Sequence, residues 1–292
     1  LLVAFTSDLH VDYQLEVVGL VARRVEELRP DALVVAGDLS PDLRMCERAL
    51  KLLAGSVDEL LFVPGNHDLW PLGQGSRPYY RGVANSRQRY EEVFPEMLER
   101  LGGAYLGLRP HYVGDVAFCG VTGWYDFSLR NRRLDDVLRA ENYVTGRYQT
   151  LQWMDCRHID WPGSGSKDLR DIALCKWMVA RLEEQLAEAQ GLAKRIVAVT
   201  HFLTHCGMVS HTGEPRNDFL NGFQGSELLG ELIDSHPGVV RVISGHYHHP
   251  VEREAKNSGG RCIRQVSPIG YPRDRTGPLA DHVRMRVKSF EL

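Results

Sequence analysis

Side chains able to hold a divalent cation stand in five short groups along the 292-residue chain. The groups are Asp8-x-His10, Gly37-Asp38, Gly65-Asn66-His67-Asp68, Thr200-His201 and Gly245-His246-x-His248. Imidazole nitrogen, carboxylate oxygen and one amide oxygen form a mixture that suits borderline divalent ions. The set His10, His201, His246, His248, Asp8, Asp38 and Asn66 exceeds what one ion needs. It fits two ions sharing a bridging carboxylate. Asp8 and His10 are two apart, as are His246 and His248, so in extended backbone each pair projects to one side. Gly37, Gly65 and Gly245 each precede a ligand-type residue, where the chain must turn sharply and pass close to an ion. Singly, a D-x-H or G-D pair is mostly turn chemistry, and a lone His201 is mostly a core or surface residue. Their order along the chain carries the reading.

Each group follows a short apolar run. Leu1–Thr6 leads to Asp8, Ala32–Ala36 to Gly37, and Leu60–Val63 through Pro64 to Gly65. Ile196–Val199 leads to His201, and Val239–Ile243 to Gly245. Read as strands, five runs deliver ligand-type residues to one edge of a sheet, where open α/β sheets bind ligands. The fully apolar Ala32–Ala36 suits a strand covered on both faces. Helical spacing lies between the runs: Leu15, Val18, Val21, Val25 and Leu28, closed by Pro30; Leu43–Leu53; and Glu227–Ile233. A long helix is predicted after Ser166, with Leu169, Ile172, Trp177, Ala180 and Leu186 on its buried side. Asp115–Val121 reads as a further strand. Arg261–Val266 and His282–Phe290 alternate like antiparallel strands with one solvated face. The fold class is α/β.

Without an internal repeat or long linker, residues 1–292 read as a single domain. Two loop-rich stretches interrupt it, Leu69–Ser86 and Trp124–Lys167. The second, about 124–167, carries Trp124, Tyr125, Tyr143, Tyr148, Trp153 and Trp161. It reads either as a lid-like insertion that shapes substrate selection or as a packed surface element.

Composition limits the partners. The chain is 43% hydrophobic and 25% charged, which excludes low-complexity disorder, and no apolar run approaches a bilayer span. Lys+Arg 35 against Asp+Glu 38 leaves a formal charge of -3, so no global field grips nucleic acid or an anionic membrane. Cys46, Cys119, Cys156, Cys175, Cys206 and Cys262 are scattered without a C-x-x-C pair, which points to a reducing, cytoplasmic setting. Leu1–Thr6 lacks a basic n-region and reads as a strand rather than a signal peptide.

The five-part motif from Asp8 to His248 resembles the calcineurin-like metallophosphoesterase superfamily. That resemblance implies a four-layer α/β/β/α sandwich of two mixed β-sheets flanked by helices. It implies one metal held by Asp8, His10, Asp38 and His248, and another by Asp38, Asn66, His201 and His246, with Asp38 bridging. The cofactor would be two divalent ions (Mn, Fe or Zn, with Mn favoured), and a hydroxide between them would attack phosphorus in line. His67 would be the non-ligand histidine that stabilises the transition state or protonates the leaving oxygen. Pro64-Gly65-Asn66-His67-Asp68 is closer to the bacterial small-molecule phosphoesterases and cyclic-nucleotide phosphodiesterases than to the protein phosphatases. Pro41 stands where purple acid phosphatases place a tyrosine ligand, which argues against a ferric-tyrosinate centre. Thr200-His201-Phe202-Leu203-Thr204 lacks the prolines common in the cyclic-nucleotide enzymes, so the substrate stays open.

The expected activity is hydrolysis of a phosphate monoester or diester of a soluble small molecule, with no membrane partner. The oligomeric state is not set by these residues. A metal-dependent nuclease is the enzymatic alternative, weakened by the acidic balance. A non-catalytic metal sensor is the other, weakened because neither a ligand nor His67 is missing. Asp68 either orients His67 or, in the favoured reading, holds its loop. His205, His211 and His249 read as supporting or surface residues. Arg77, Arg81, Arg130, Arg132 and Arg133 read mostly as solvated charge, with phosphate pairing as the alternative. Ser267–Pro272 is placed at the pocket border.

Overall fold

The apolar runs become the strands of two stacked sheets. The computed structural model describes residues 1–71, 85–165 and 169–292. Its strands are β1 (Leu2–Thr6), β2 (Ala32–Ala36), β3 (Glu59–Val63), β4 (Ala104–Tyr105), β5 (His111–Val113) and β6 (Val116–Val121). A small hairpin pairs β7 (Arg147–Tyr148) with β8 (Leu151–Gln152). They are followed by β9 (Arg195–Thr200), β10 (Val239–Ser244), β11 (Val251–Asn257), β12 (Gly260–Val266) and β13 (Lys288–Glu291). The first sheet has the order β13-β1-β2-β3-β4, with only β13 antiparallel to its neighbour. The second has the order β11-β12-β10-β9-β6-β5, parallel in the middle and antiparallel at both edges.

Side-chain alternation along each strand divides the core into layers. Val3, Phe5, Val34, Leu61 and Val63 of the first sheet pack with Val116, Phe118, Val197, Val199 and Ile243 of the second. The opposite parity, including Ala4, Leu33, Val35, Phe62, Ala117, Cys119 and Ala198, belongs to the core beneath the helices. Helices α1 (Val17–Leu28), α2 (Leu43–Ala54) and α3 (Phe94–Leu101) cover the first sheet, together with α6 (Leu279–Arg286). Helices α4 (Arg170–Ala189) and α5 (Glu227–Ser235) cover the second. The result is the expected four-layer α/β/β/α sandwich. Fully burying each such apolar side chain contributes about 1.5–3 kcal/mol, so the strand ends sit on a stiff base.

Several local expectations change. His282–Phe290 is not one strand: α6 occupies Leu279–Arg286 and only Lys288–Glu291 joins the sheet. Pro278 at the N-cap starts a helix, and burial of His282, Val283 and Val287 follows helical spacing, leaving Met285 58% exposed. The first helix begins at Val17, leaving Leu15 outside it and exposed. In α4 the buried stripe is Leu174, Cys175, Met178, Leu182, Leu186 and Ala189. Leu169 and Ala180 are exposed, and Ile172 and Trp177 only half-buried, so the predicted face was rotated. The edge strand β11, Val-Glu-Arg-Glu-Ala-Lys-Asn, has no apolar run to announce it. Its charges suit an exposed sheet edge.

Candidate metal centre

The ligand-type groups meet where β1, β2, β3, β9 and β10 end. Beyond the strands the loops remain hydrogen-bonded to one another. Asp8 N donates to Gly37 O at 2.9 Å, His10 N to Asp38 O at 3.0 Å, and Gly245 N to His201 O at 2.9 Å. Asp8, His10, Asp38 and His246 all have left-handed backbone, with φ of 55°, 43°, 59° and 65°. The Asp8–His10 pair is therefore not extended: the side chains converge because the backbone curls after Thr6. His246 curls in the same way. Such conformations are uncommon outside glycine and cost about 1–2 kcal/mol each. The glycines are required by contact. A Cβ on Gly65 would overlap the Asp38 carboxylate, and one on Gly245 would lie 2.6 Å from Ala36 O.

Asp68 accounts for much of this rigidity. Its Oδ2 accepts from Asp38 N at 2.9 Å and Gly65 N at 2.8 Å. Its Oδ1 accepts from Leu39 N at 2.8 Å and Ser40 N at 2.9 Å. The loops after β2 and β3 thus close on one buried carboxylate, as the favoured reading of Asp68 expected.

All seven ligand-type residues come together. Asp38 sits centrally, with Oδ2 3.8 Å from His10 Nε2 and Oδ1 3.5 Å from His201 Nε2. His10 Nε2 is 3.2 Å from His248 Nε2, which lies 3.4 Å from Asp8 Oδ1. On the other side Asn66 Oδ1 is 3.1 Å from His201 Nε2. Donor atoms within 4.8 Å of one another occur in three sets: Asp8, His10 and His248; His10, Asp38 and His67; and Asp38, His201 and His246. Asp8, His10, Asp38, Asn66 and His201 are almost wholly buried.

This arrangement fits cations. Asp8 and Asp38 are buried carboxylates, yet among the described residues no Lys or Arg pairs with either; their charged partners are imidazoles. The buried Nε2 of His246 has no hydrogen-bond partner among the described residues. Burial would lower His201, but the Asp38 charge lifts it to about 9. Burial would likewise lower His248, and its hydrogen bonds to Asp274 and Asp8 lift it to about 10. Burial holds His10 down at about 3 and His246 well below the ordinary histidine range. Burial would raise both carboxyls, but His248 keeps Asp8 low and His201 keeps Asp38 well below the usual range. Without ions, the His201 imidazolium therefore partners the Asp38 carboxylate, and the His248 imidazolium those of Asp274 and Asp8.

The surrounding groups come from three further segments. His67 is stacked on Trp70, with centroids 3.8 Å apart, and its Nε2 lies 3.3 Å from the Tyr271 hydroxyl. Tyr271 also stacks on His10 at 4.2 Å, in a loop anchored by Gly270 N donating to Asp8 O at 2.9 Å. Asp274 accepts from His248 Nδ1 at 2.6 Å. In the insertion, Trp124, Tyr125, Tyr143 and Trp161 are buried core residues, while Gln152, Trp153, Met154 and Asp155 line the cleft. The stretch is thus both packed foundation and wall. The cleft over the centre has a volume of about 1220 Å³, far larger than a phosphate group.

The remaining residues have other partners. His205 pairs with Asp234 at 3.2 Å, His211 Nε2 meets Leu129 O at 2.9 Å, and Arg130 pairs with Asp135 at 3.0 Å. Arg132 and Arg133 are exposed and do not line the cleft. His249 does line it, as does Tyr271 of the Ser267–Pro272 segment. Arg77, Arg81 and most of the Leu69–Ser86 loop lie outside the described residues. Asp155 and Asp274 were missed, because an isolated Asp carries no local signal and each reaches its partner only through the fold.

Known proteins share this architecture. Phosphopantetheinyl hydrolase from Mycobacterium tuberculosis superposes with a TM-score of 0.71 at 21% identity, covering 93% of this chain and 90% of that one. TT1561 of Thermus thermophilus gives a TM-score of 0.51 at 14% identity, covering 99% and 97%. At these identities the likeness is one of fold. No curated protein matches the sequence. The family model for calcineurin-like phosphoesterase matches residues 1–250, a span that contains every ligand-type group converging on Asp38, and the chain belongs to that family.

Proposed function

We propose that this protein hydrolyses a phosphate monoester or diester of a soluble small molecule, using two divalent ions. One ion is assigned to Asp8, His10, Asp38 and His248, and the other to Asp38, Asn66, His201 and His246. The observation that carries this reading is Asp38, whose two oxygens face two different sets of donors. Mn is the favoured ion, with Fe and Zn as alternatives, because the donors mix imidazole with carboxylate and amide oxygen. Bound there, such a pair would lower the pKa of a coordinated water and neutralise phosphoryl oxygens.

The chain's own residues do the rest. His67 stands beside the centre, held by Trp70 and Tyr271, where it can give a proton to the leaving oxygen. Burial holds it below the ordinary histidine range, and the negative charge of a bound ester favours the protonated ring. Arg253 and Arg273 are the only Lys or Arg side chains lining the cleft among the described residues. That supports a small ester over a nucleic acid, which needs a continuous basic track. Among the described residues no helix is long and apolar enough to cross a membrane. Buried thiols at Cys46, Cys119, Cys175 and Cys262 support a cytoplasmic setting.

The test is turnover of chromogenic mono- and diesters, cyclic nucleotides and phosphopantetheinyl esters by Mn²⁺-loaded protein. Activity that requires the metal and disappears in Asp38→Ala is expected. Metal binding without turnover of any ester indicates a sensor, and salt-sensitive DNA binding with cleavage indicates a nuclease.

A further inference from the structure

Asp155 lies 89 residues from Asn66 in sequence and meets it in the core. Its carboxylate is fully buried at the start of a single helical turn, Asp155–His158, inside the insertion. Oδ1 accepts from Asn66 Nδ2 at 2.8 Å and from Trp70 Nε1 at 2.7 Å, and Oδ2 accepts from Trp153 Nε1 at 2.9 Å. No Lys or Arg among the described residues pairs with it.

The chemistry of the amide gives these contacts their meaning. An asparagine side chain can turn over by 180°, exchanging its oxygen and NH₂, and only the oxygen can bind a cation. A carboxylate can only accept. Asp155 therefore fixes the NH₂ of Asn66 towards itself and its oxygen towards His201 and Asp38. Neutral acceptors would satisfy the two indoles alone at less desolvation cost. A buried charge also polarises the amide, making its oxygen a better donor to a cation.

We propose that Asp155 is a positioning residue: it locks the Asn66 amide with the oxygen facing the second ion site, and thereby ties the insertion to occupancy of that site. The proposal rests on the reading of Asn66 as a ligand. The experiment is calorimetric titration of Mn²⁺ into metal-free wild type, Asp155→Leu and Asp155→Asn. Unfolding of each metal-free protein is followed in parallel.

Asp155→Leu offers the Asn66 NH₂ no acceptor and should weaken one of the two ions by about 10–100-fold, the usual effect of losing a group that orients a ligand, and spare the other. Asp155→Asn keeps an amide oxygen where Oδ1 accepts from Asn66 Nδ2 and Trp70 Nε1, and abandons only the Trp153 N–H. It should therefore bind the second ion at least about tenfold more tightly than Asp155→Leu. Should Asp155→Leu fail to fold, a folded Asp155→Asn that keeps both ions supports the proposal, and one that keeps only one overturns it. The unaltered protein gives an independent reading with Zn²⁺. The indole N–H resonances of Trp70 and Trp153 should shift with the second equivalent, and their constancy overturns the proposal. Wild-type affinity for both ions in Asp155→Leu, or an equal loss in Asp155→Asn and Asp155→Leu, also overturns it. A wild type that binds fewer than two ions instead overturns the two-ion reading itself.

Discussion

Replacing Asp68 by Asn changes one atom in the tie that closes two strand-end loops. In the wild type, four backbone N–H groups share two carboxylate oxygens, at 2.8–2.9 Å. Asparagine keeps one oxygen and so satisfies two of them. Its NH₂ then faces the other two donors, with no acceptor for either. Burial pushes the Asp68 carboxyl up to about 7. Each lost bond to a charged, buried group is worth about 1.5–3 kcal/mol, so above that pH the variant should lose about 3–6 kcal/mol. At about 2–4 °C per kcal/mol for a large domain, the metal-free protein should melt on the order of 10 °C lower. Thermal and urea unfolding of metal-free protein measure this directly. Metal affinity should fall as well, because Asp38 N is one of the abandoned donors. No oxygen of Asp68 is left over to orient the His67 ring. If Asp68→Asn kept wild-type stability and lost turnover only on esters with poor leaving groups, Asp68 would act through His67 and the loop-tie argument would be wrong.

His67→Ala should keep its two ions by elemental analysis while turnover drops roughly 10²–10⁴-fold, with a smaller loss on leaving groups that need no proton. Asp274→Ala should weaken the ion assigned to His248 by about 10–100-fold in Mn²⁺ titration, since the ring loses the acceptor that orients it. Metal uptake should release protons. His201 and His248, raised to about 9 and about 10, carry protons at neutrality that ligation must displace. Calorimetry in buffers of different ionisation enthalpy should therefore show about two protons leaving per pair of ions near pH 7. Because both values lie above the ordinary histidine value, their stabilisation of the metal-free fold is full below about 6.5. It is lost as pH rises through 9 to 10, and metal affinity climbs over that window.

Much of the centre was legible because ligand-type residues stand directly after apolar runs, and strand ends of parallel sheets share an edge. Asp8, Asp38, Asn66, His201 and His246 needed no more than that. What was not legible depends on geometry beyond the strands. Asp8 and His10 share a direction through left-handed backbone, which residue spacing does not encode. Asp155 and Asp274 act across 89 and 26 residues, and neither sits in a pattern. The His282–Phe290 stretch alternates well enough for a strand, but Pro278 and burial on one face made its first part a helix. Tyr271 stands over His10 and His67 from a loop that carries no ligand-type motif, so only the fold reveals it.

The left-handed backbone at Asp8, His10, Asp38 and His246 bears on how such a chain drifts over generations. All four residues are Asp or His, types that tolerate this conformation better than most, yet each still stores about 1 kcal/mol or more. Glycine at any of them would release that strain, but at Asp8 or Asp38 it would also leave a buried imidazolium without its carboxylate. The fold alone therefore does not repay the strain at His10 and His246. In a descendant that no longer needed the site, drift towards stability would pass first through those two positions, and the centre would be dismantled before the fold.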